Sequence, residues 1–446
     1  MIWQTVLTLL ASQAVLAVGP QRQYQSIARA LTVAAPYDTI VVDSGRYRER
    51  LRIERAVTLI GKPGAVIDGG GEGRVVEILA PATIQGFTIR GSGDALSRED
   101  AGIWISEADG TRVTDNVLVD VLFGIYIKES HQTVVQRNRV HGKPLPRPRR
   151  GDGIRLWSCM GGILTDNEVT GVRDVVIWFS DSTVAERNTI TDSRYGLHYM
   201  YSDHNRFADN HFERNEVGAF LMYSNDVSFE RNVFAYALGS FGKGLGFKDT
   251  DNVVAHSNLI VKNAIGIFLD NSPHSVDVSN VFSRNILAFN EVGVQLLPSV
   301  RNNQFVENSF LSNVVVAGVT GRGSAVANTW RNNYWSEYAG LDENHDGLGD
   351  TPYVHDRVTD DVLAEHESLQ LMRLSTATAA LDMLARLVPV LKPTPILVDS
   401  APSLARFDLA WAPTQTTDNG RFGIALVMAG FVVVGVVTIY RRRRPE

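Results

Sequence analysis

Residues 188–222 read NTITDSRYGLHYMYSDHNRFADNHFERNEVGAFLM, and one pattern occurs in them twice. Asn188 is followed two positions later by Ile190 and eight positions later by Gly196; Asn210 is followed in the same way by Phe212 and Gly218. After each glycine the chain alternates, with Leu197 and Tyr199, then Ala219 and Leu221, on one side and His198 and Met200, then Phe220 and Met222, on the other. A period of two is the signature of a strand, and repeats of this length are too short to bury a core alone.

The pattern extends in both directions. Its asparagines are Asn116, Asn138, Asn167, Asn188, Asn210, Asn232, Asn258, Asn285 and Asn308, separated by 22, 29, 21, 22, 22, 26, 27 and 23 positions. Gly124, Gly266 and Gly293 also lie eight after their asparagine, Val175 takes that place once, and Gly153 and Gly244 come late because a loop is longer. Insertions confined to one loop are what a stacked solenoid permits. A period near 22 without helical spacing predicts an all-β fold, a right-handed single-stranded parallel β-helix over residues 24–353, with the asparagines passing amide hydrogen bonds from coil to coil.

Length and composition agree. The chain has 446 residues, a net charge of −6, 44% hydrophobic and 21% charged residues, so it folds, and no basic excess calls for nucleic acid. Its single cysteine, Cys159, excludes an intrachain disulfide framework and multi-cysteine metal sites. Residues 1–18 form an apolar N-terminal segment with small residues at Ala14 and Ala17, as in a secretory signal peptide. Phe422 to Tyr440 is apolar, roughly 28 Å long as a helix, and is followed by Arg441 to Arg444 in the basic tail 441–446. That predicts one transmembrane helix with its tail in the cytoplasm and the body on the periplasmic face of the membrane. Between them, residues 354–405 read as a C-terminal helix, with helical spacing from Ser368 to Val388, and an extended segment packing on the rod; 406–421 read as a linker.

Counting from the repeat glycine, positions +2 and +4 face outward: Tyr126 and Lys128, Arg155 and Trp157, Ile177 and Phe179, His198 and Met200, Phe220 and Met222, Gly246 and Lys248. The central coils thus expose aromatic, thioether and imidazole groups where charges are expected, which marks a partner surface or a soft-ligand site. His198, Met200, Met222 and, in the next loop, His204 are Cu(I) candidates; Trp157, Phe179 and Phe220 are docking candidates, the alternative being cover by the chain itself. Arg147, Arg149 and Arg150 stand in a proline-rich insertion that should project as a docking loop or a solvated spur. Asp342, Asn344, Asp346 and Asp350 open a calcium-loop pattern that Tyr353 leaves incomplete, so a structural calcium ion and an Asx-rich turn are both open.

The segments YGLHYMYSDHNRF (195–207), VGAFLMYSND (217–226) and NYWSEYAGLDENHDGLGDTPY (333–353) resemble NosD, a family of exported β-helical maturation proteins of nitrous-oxide reductase whose repeats are of the carbohydrate-binding and sugar-hydrolase type. The resemblance spans about residues 24–405. It implies a non-enzymatic partner of an ABC transporter, permease and ATPase, that assists copper or sulfur delivery to the reductase's copper–sulfur centre. A copper-donating lipoprotein is a further implied partner, and His198, Met200 and Met222 are the positions carried over as copper contacts. The competing expectation is a polysaccharide lyase, hydrolase or epimerase, for which Asp249, Asp251 and Asp270 beside Lys248 form the nearest acid constellation.

Overall fold

The structure is a computed structural model that describes residues 13–320, 324–356 and 395–411, with Thr378, Ala380, Leu381 and Leu384. Those four positions of the expected helix are helical; the rest of it, and the span Phe422 to Tyr440, lie outside the described residues. The chain divides into a unit of residues 1–407 and a second of 408–446, of which 408–411 are described.

The first unit is an all-β parallel solenoid. Its strands form three sheets of 16, 12 and 13 strands, and nearly every strand pairs with the strands three before and three after it in the chain. Each winding therefore gives one strand to each sheet. Inside, Ile, Leu, Val and Phe side chains alternate inward and stack on their equivalents one coil away: Phe207 on Phe229 at 4.9 Å, Phe212 on Phe234 at 5.1 Å, Phe282 on Phe305 at 4.9 Å. Gly218 is needed for the close approach of windings, since a Cβ there would lie 2.3 Å from the Gly244 carbonyl oxygen.

The asparagine ladder is present and buried. The Asn188 backbone N–H and side-chain amide both donate to Asn210 Oδ1 at 3.0 Å, Asn210 does the same to Asn232, and Asn188 Nδ2 also reaches the Leu164 carbonyl at 2.8 Å. These bonds satisfy the backbone at a bend where water is excluded. The residue before each asparagine is left-handed, with φ between 52° and 58° at Asp115, Arg137, Asp166, Arg187, Asp209 and Arg231. These six side chains pair across coils in opposite charge: Arg137 with Asp115 at 2.6 Å, Arg187 with Asp166 at 2.8 Å, Arg231 with Asp209 at 2.8 Å.

The two ends are more extensive than the repeat suggests. Val15–Val18, placed by sequence in the apolar N-terminal segment, is the first strand and pairs with Thr39–Val42, and the short helix Ile27–Val33 follows it. At the other end Leu397–Asp399 pairs antiparallel with Tyr353–His355 and in parallel with Thr329–Arg331. The extended C-terminal segment thus contributes a strand to the last winding. Asp399 takes the next rung of the ladder, accepting from Asn333 and from Trp335 Nε1 at 3.1 Å.

Candidate functional site

The outer side of the 12-stranded sheet carries the candidate residues. In Tyr195–Met200, Leu197 and Tyr199 are buried inside and His198 and Met200 point out; in Val217–Asn225, Ala219 and Leu221 are inside and Phe220 and Met222 out. Parallel pairing sets His198 against Phe220 and Met200 against Met222, one coil apart, at the strand separation of about 4.8 Å. The three expected soft ligands therefore share one surface, partly shielded.

One coil earlier the expectation was off by one residue. Val176 pairs with His198 and Trp178 with Met200, while Ile177 is fully buried; the outward residues are Val176 and Trp178, not Ile177 and Phe179. The step from Asn167 to Asn188 is the short one, Asp174 takes the repeat glycine's place, and the register shifts between Asp174 and Val176. Phe179 is nevertheless exposed, by another route: it is the left-handed residue that ends its strand, and it stacks on Tyr201 at 5.2 Å, which stacks on Tyr223 at 4.9 Å. Trp157 lies 5.6 Å from Trp178 and 5.3 Å from Phe179, and Phe220 rests over Gly246 and faces Phe268 at 6.1 Å. Trp178, Tyr201 and Tyr223 were missed by sequence reading; the 21-residue step was the signal for the first.

His198 is held by three neighbours. Its Nδ1 faces Asp174 Oδ2 at 3.3 Å, and its ring packs between Tyr195, stacked at 4.9 Å, and Trp178, edge-on at 5.0 Å. A carboxylate at Nδ1 assigns the proton there and leaves the Nε2 lone pair free. Asp174 is buried and is also gripped by Arg194, with Nε at 2.9 Å, and by the Tyr195 N–H at 3.2 Å. Burial works to raise its carboxyl, but the hydrogen bonds from His198 and Arg194 outweigh it and hold it below the usual carboxylate range. In the preceding winding, burial wins over Arg173 and Arg155 and pushes the Asp152 carboxyl up. His131 has the opposite assignment: its Nδ1 accepts from the Met160 N–H at 3.0 Å.

His204 stands apart from this set. It lies beyond the Ser202 turn, is exposed, and pairs with Asp226 at 3.4 Å. Cys159 is buried, and burial raises its thiol. The insertion does not project as a spur: Arg147 pairs with Glu216, Arg149 lies 3.7 Å from Asp94, and Arg150 Nε donates to the Leu145 carbonyl, so the loop is tied back along the coils, with Leu145 packed against the cluster of Ala101, Trp104, Leu122, Phe123 and Tyr126. In Asp342 to Asp350 the carboxylates accept backbone N–H groups: Asp342 from Asp346 and Gly347, Asp346 from Leu348, Asp350 from Glu343. Asn344 Oδ1 likewise takes the Asp346 N–H. Among the described residues no three His, Cys, Asp or Glu side chains are grouped to hold a metal ion.

The acid constellation is partly committed. Asp251 accepts the His274 and Ser275 N–H groups and the Ser275 hydroxyl, fixing a loop, while Lys248 lies 3.6 Å from Asp270 and Asp249 accepts from Asn271 and lies 3.5 Å from His274.

Residues 137–340 match the family described as periplasmic copper-binding protein (NosD). The chain is 28% identical over 409 residues to the probable ABC transporter binding protein NosD of Pseudomonas aeruginosa, covering 80% of this chain and 86% of that one. It is 29% identical over 392 residues to the protein of the same description from Stutzerimonas stutzeri, covering 80% and 85%. The kinship with NosD expected from the three quoted segments is therefore found across most of the chain. Among solved structures, a family 28 exopolygalacturonase of Yersinia enterocolitica superposes with a TM-score of 0.52 at 9% identity, covering 71% of this chain and 80% of that one. The A-module of the Azotobacter vinelandii mannuronan C-5 epimerase AlgE6 gives 0.50 at 14%, covering 68% and 92%. At these identities the likeness is one of fold.

Proposed function

We propose that this NosD-related chain is a non-enzymatic maturation factor for nitrous-oxide reductase: a periplasmic rod that works with an ABC permease and its ATPase and passes Cu(I) from a donor lipoprotein toward the copper–sulfur centre. Copper is cargo here, not a resident cofactor. The observation that carries the reading is the register of His198, Met200 and Met222, which sets one imidazole with a free Nε2 beside two thioethers in adjacent coils on an outward face. That donor set suits a soft monovalent ion, and few ligands at a surface favour handing the ion on. Hydrogen-bonded coils fix the spacing in advance, so binding pays little ordering entropy.

The exposed edges of Phe179, Tyr201 and Tyr223, with Trp157 and Phe220, are the docking surface for donor or acceptor in this reading, and the span Phe422 to Tyr440 is its membrane anchor. The Asp342 to Asp350 loop closes the rod end, its carboxylates serving backbone N–H groups. A polysaccharide-active reading has less to support it. Asp251 is engaged by a loop, and rings stacked face to face offer a sugar mainly their edges.

The test is Cu(I) competition between the full-length protein and a chelator. His198→Ala with Met200→Ala, and separately Met222→Ala, should each weaken binding at least about ten-fold. Unchanged affinity in both would leave this face a docking surface without copper.

A further inference from the structure

Along the outer face, Trp157, Trp178, Met200, Met222 and Lys248 follow one another in a single column, each paired in register with the next. An ion held by Met200 and Met222 therefore has Trp178 as its neighbour on one side and Lys248 on the other. The two flanks differ. Lys248 is a cation and is drawn toward Asp270 of the next winding, whereas the indole of Trp178 carries the negative π face that attracts positive charge.

This face already uses that attraction with the protein's own cations. The Arg74 guanidinium lies 3.6 Å from the centre of the Trp104 ring, Arg155 lies 5.0–5.1 Å from Tyr126, Trp157 and Trp178, and the Lys243 ammonium lies 4.9 Å from Phe268. On the next coils the column of Arg155 continues with Val176 and His198, so the place that Arg155 holds one coil earlier, 5.1 Å from the Trp178 ring, is taken beside Met200 by an imidazole and by no arginine or lysine. His198 stands edge-on to Trp178 at 5.0 Å with an interplanar angle of 88°. The Trp178 Nε1 is buried without a hydrogen-bond partner, so packing, not a hydrogen bond, places the indole here.

We propose that Trp178 is a fourth contact to the copper cargo: its indole closes the His198, Met200 and Met222 site by a cation–π contact and keeps water from the ion. The proposal rests on the copper reading above and deepens it by adding an aromatic contact from the neighbouring coil. Cu(I) is content with few soft ligands and a π face, while Cu(II) demands a tetragonal set of nitrogen and oxygen donors that this surface lacks.

The experiment is titration of the full-length protein with Cu(I) under chelator competition, reading affinity and tryptophan emission together. Trp178→Leu should weaken Cu(I) binding roughly ten- to thirty-fold and abolish most of the copper-dependent quenching, and Trp178→Phe, which keeps a weaker π face and the packing, should fall between. Wild-type affinity and quenching in a folded Trp178→Leu or Trp178→Phe protein would overturn the proposal and leave the copper reading standing. Absence of Cu(I) binding by the wild-type protein would overturn both.

Discussion

Asn333 donates both its backbone N–H, at 2.9 Å, and its side-chain amide, at 3.1 Å, to a single oxygen of Asp399, 66 positions along the chain. The Trp335 indole N–H reaches the same oxygen at 3.1 Å. A carboxylate from the C-terminal segment thus ends a ladder that side-chain amides build everywhere else.

Asp399→Ala should therefore strip three buried donors of their acceptor and cost about 3 kcal/mol. The loss should be local at first. Amide hydrogen exchange over residues 329–335 should rise before that of the central coils, and Asp399→Asn, which restores a carbonyl acceptor, should recover most of it.

A methyl group at a repeat glycine tests how tightly the windings are pressed together. Gly218→Ala places a Cβ 2.3 Å from the Gly244 carbonyl oxygen, a backbone atom that cannot swing aside. We expect a loss of about 1–3 kcal/mol in urea unfolding.

Asp174 should act on copper through His198. In Asp174→Asn the ring loses the carboxylate that fixes its proton on Nδ1, and Cu(I) affinity should fall about 10- to 100-fold. Arg194→Gln removes another partner of the same carboxylate and serves as the control: it should lower the melting temperature while leaving copper affinity within about three-fold.

Acid should loosen the surface ion pairs that link successive coils. Hydrogen bonds from Arg137, Arg187 and Arg214 hold the Asp115, Asp166 and Asp192 carboxyls below their usual range. A depressed carboxyl gives stability that is present above its unfolded value, near pH 4, and is lost as pH falls through the folded one. The melting temperature should thus drop on acidification from about pH 5 to pH 3, and the triple variant Arg137→Gln, Arg187→Gln, Arg214→Gln should drop less steeply. Each pair is solvent-exposed, so the single variants should barely differ from wild type.

Tyr201 and Tyr223 should matter to partners more than to folding. Both are exposed and left-handed, so Tyr201→Ala with Tyr223→Ala should leave the melting temperature within about 2 °C yet weaken binding to the purified permease–ATPase complex about ten-fold by biolayer interferometry.

The solenoid was legible because its determinants are local and periodic: an asparagine at one bend, an apolar residue two later, a glycine eight later. The outward placement of His198, Met200 and Met222 was legible to the same extent, following from alternation alone. What escaped has physical reasons. A one-residue shortening before Asp174 moves the outward positions from Ile177 and Phe179 to Val176 and Trp178 without disturbing the apolar pattern. The aromatic column of Phe179, Tyr201 and Tyr223 sits on left-handed residues, where strand alternation no longer says which way a side chain points. Leu397–Asp399 joins partners far away in sequence, and no repeat announces such a pairing.

The alternating column of Asp115, Arg137, Asp166, Arg187, Asp209 and Arg231 also restricts how such a protein can lengthen. Duplicating a single winding within this stretch would set aspartate on aspartate or arginine on arginine, while duplicating two at once would keep every neighbour opposite in sign. Growth and loss of this part of the rod are therefore easiest in even numbers, a parity rule written in surface charge.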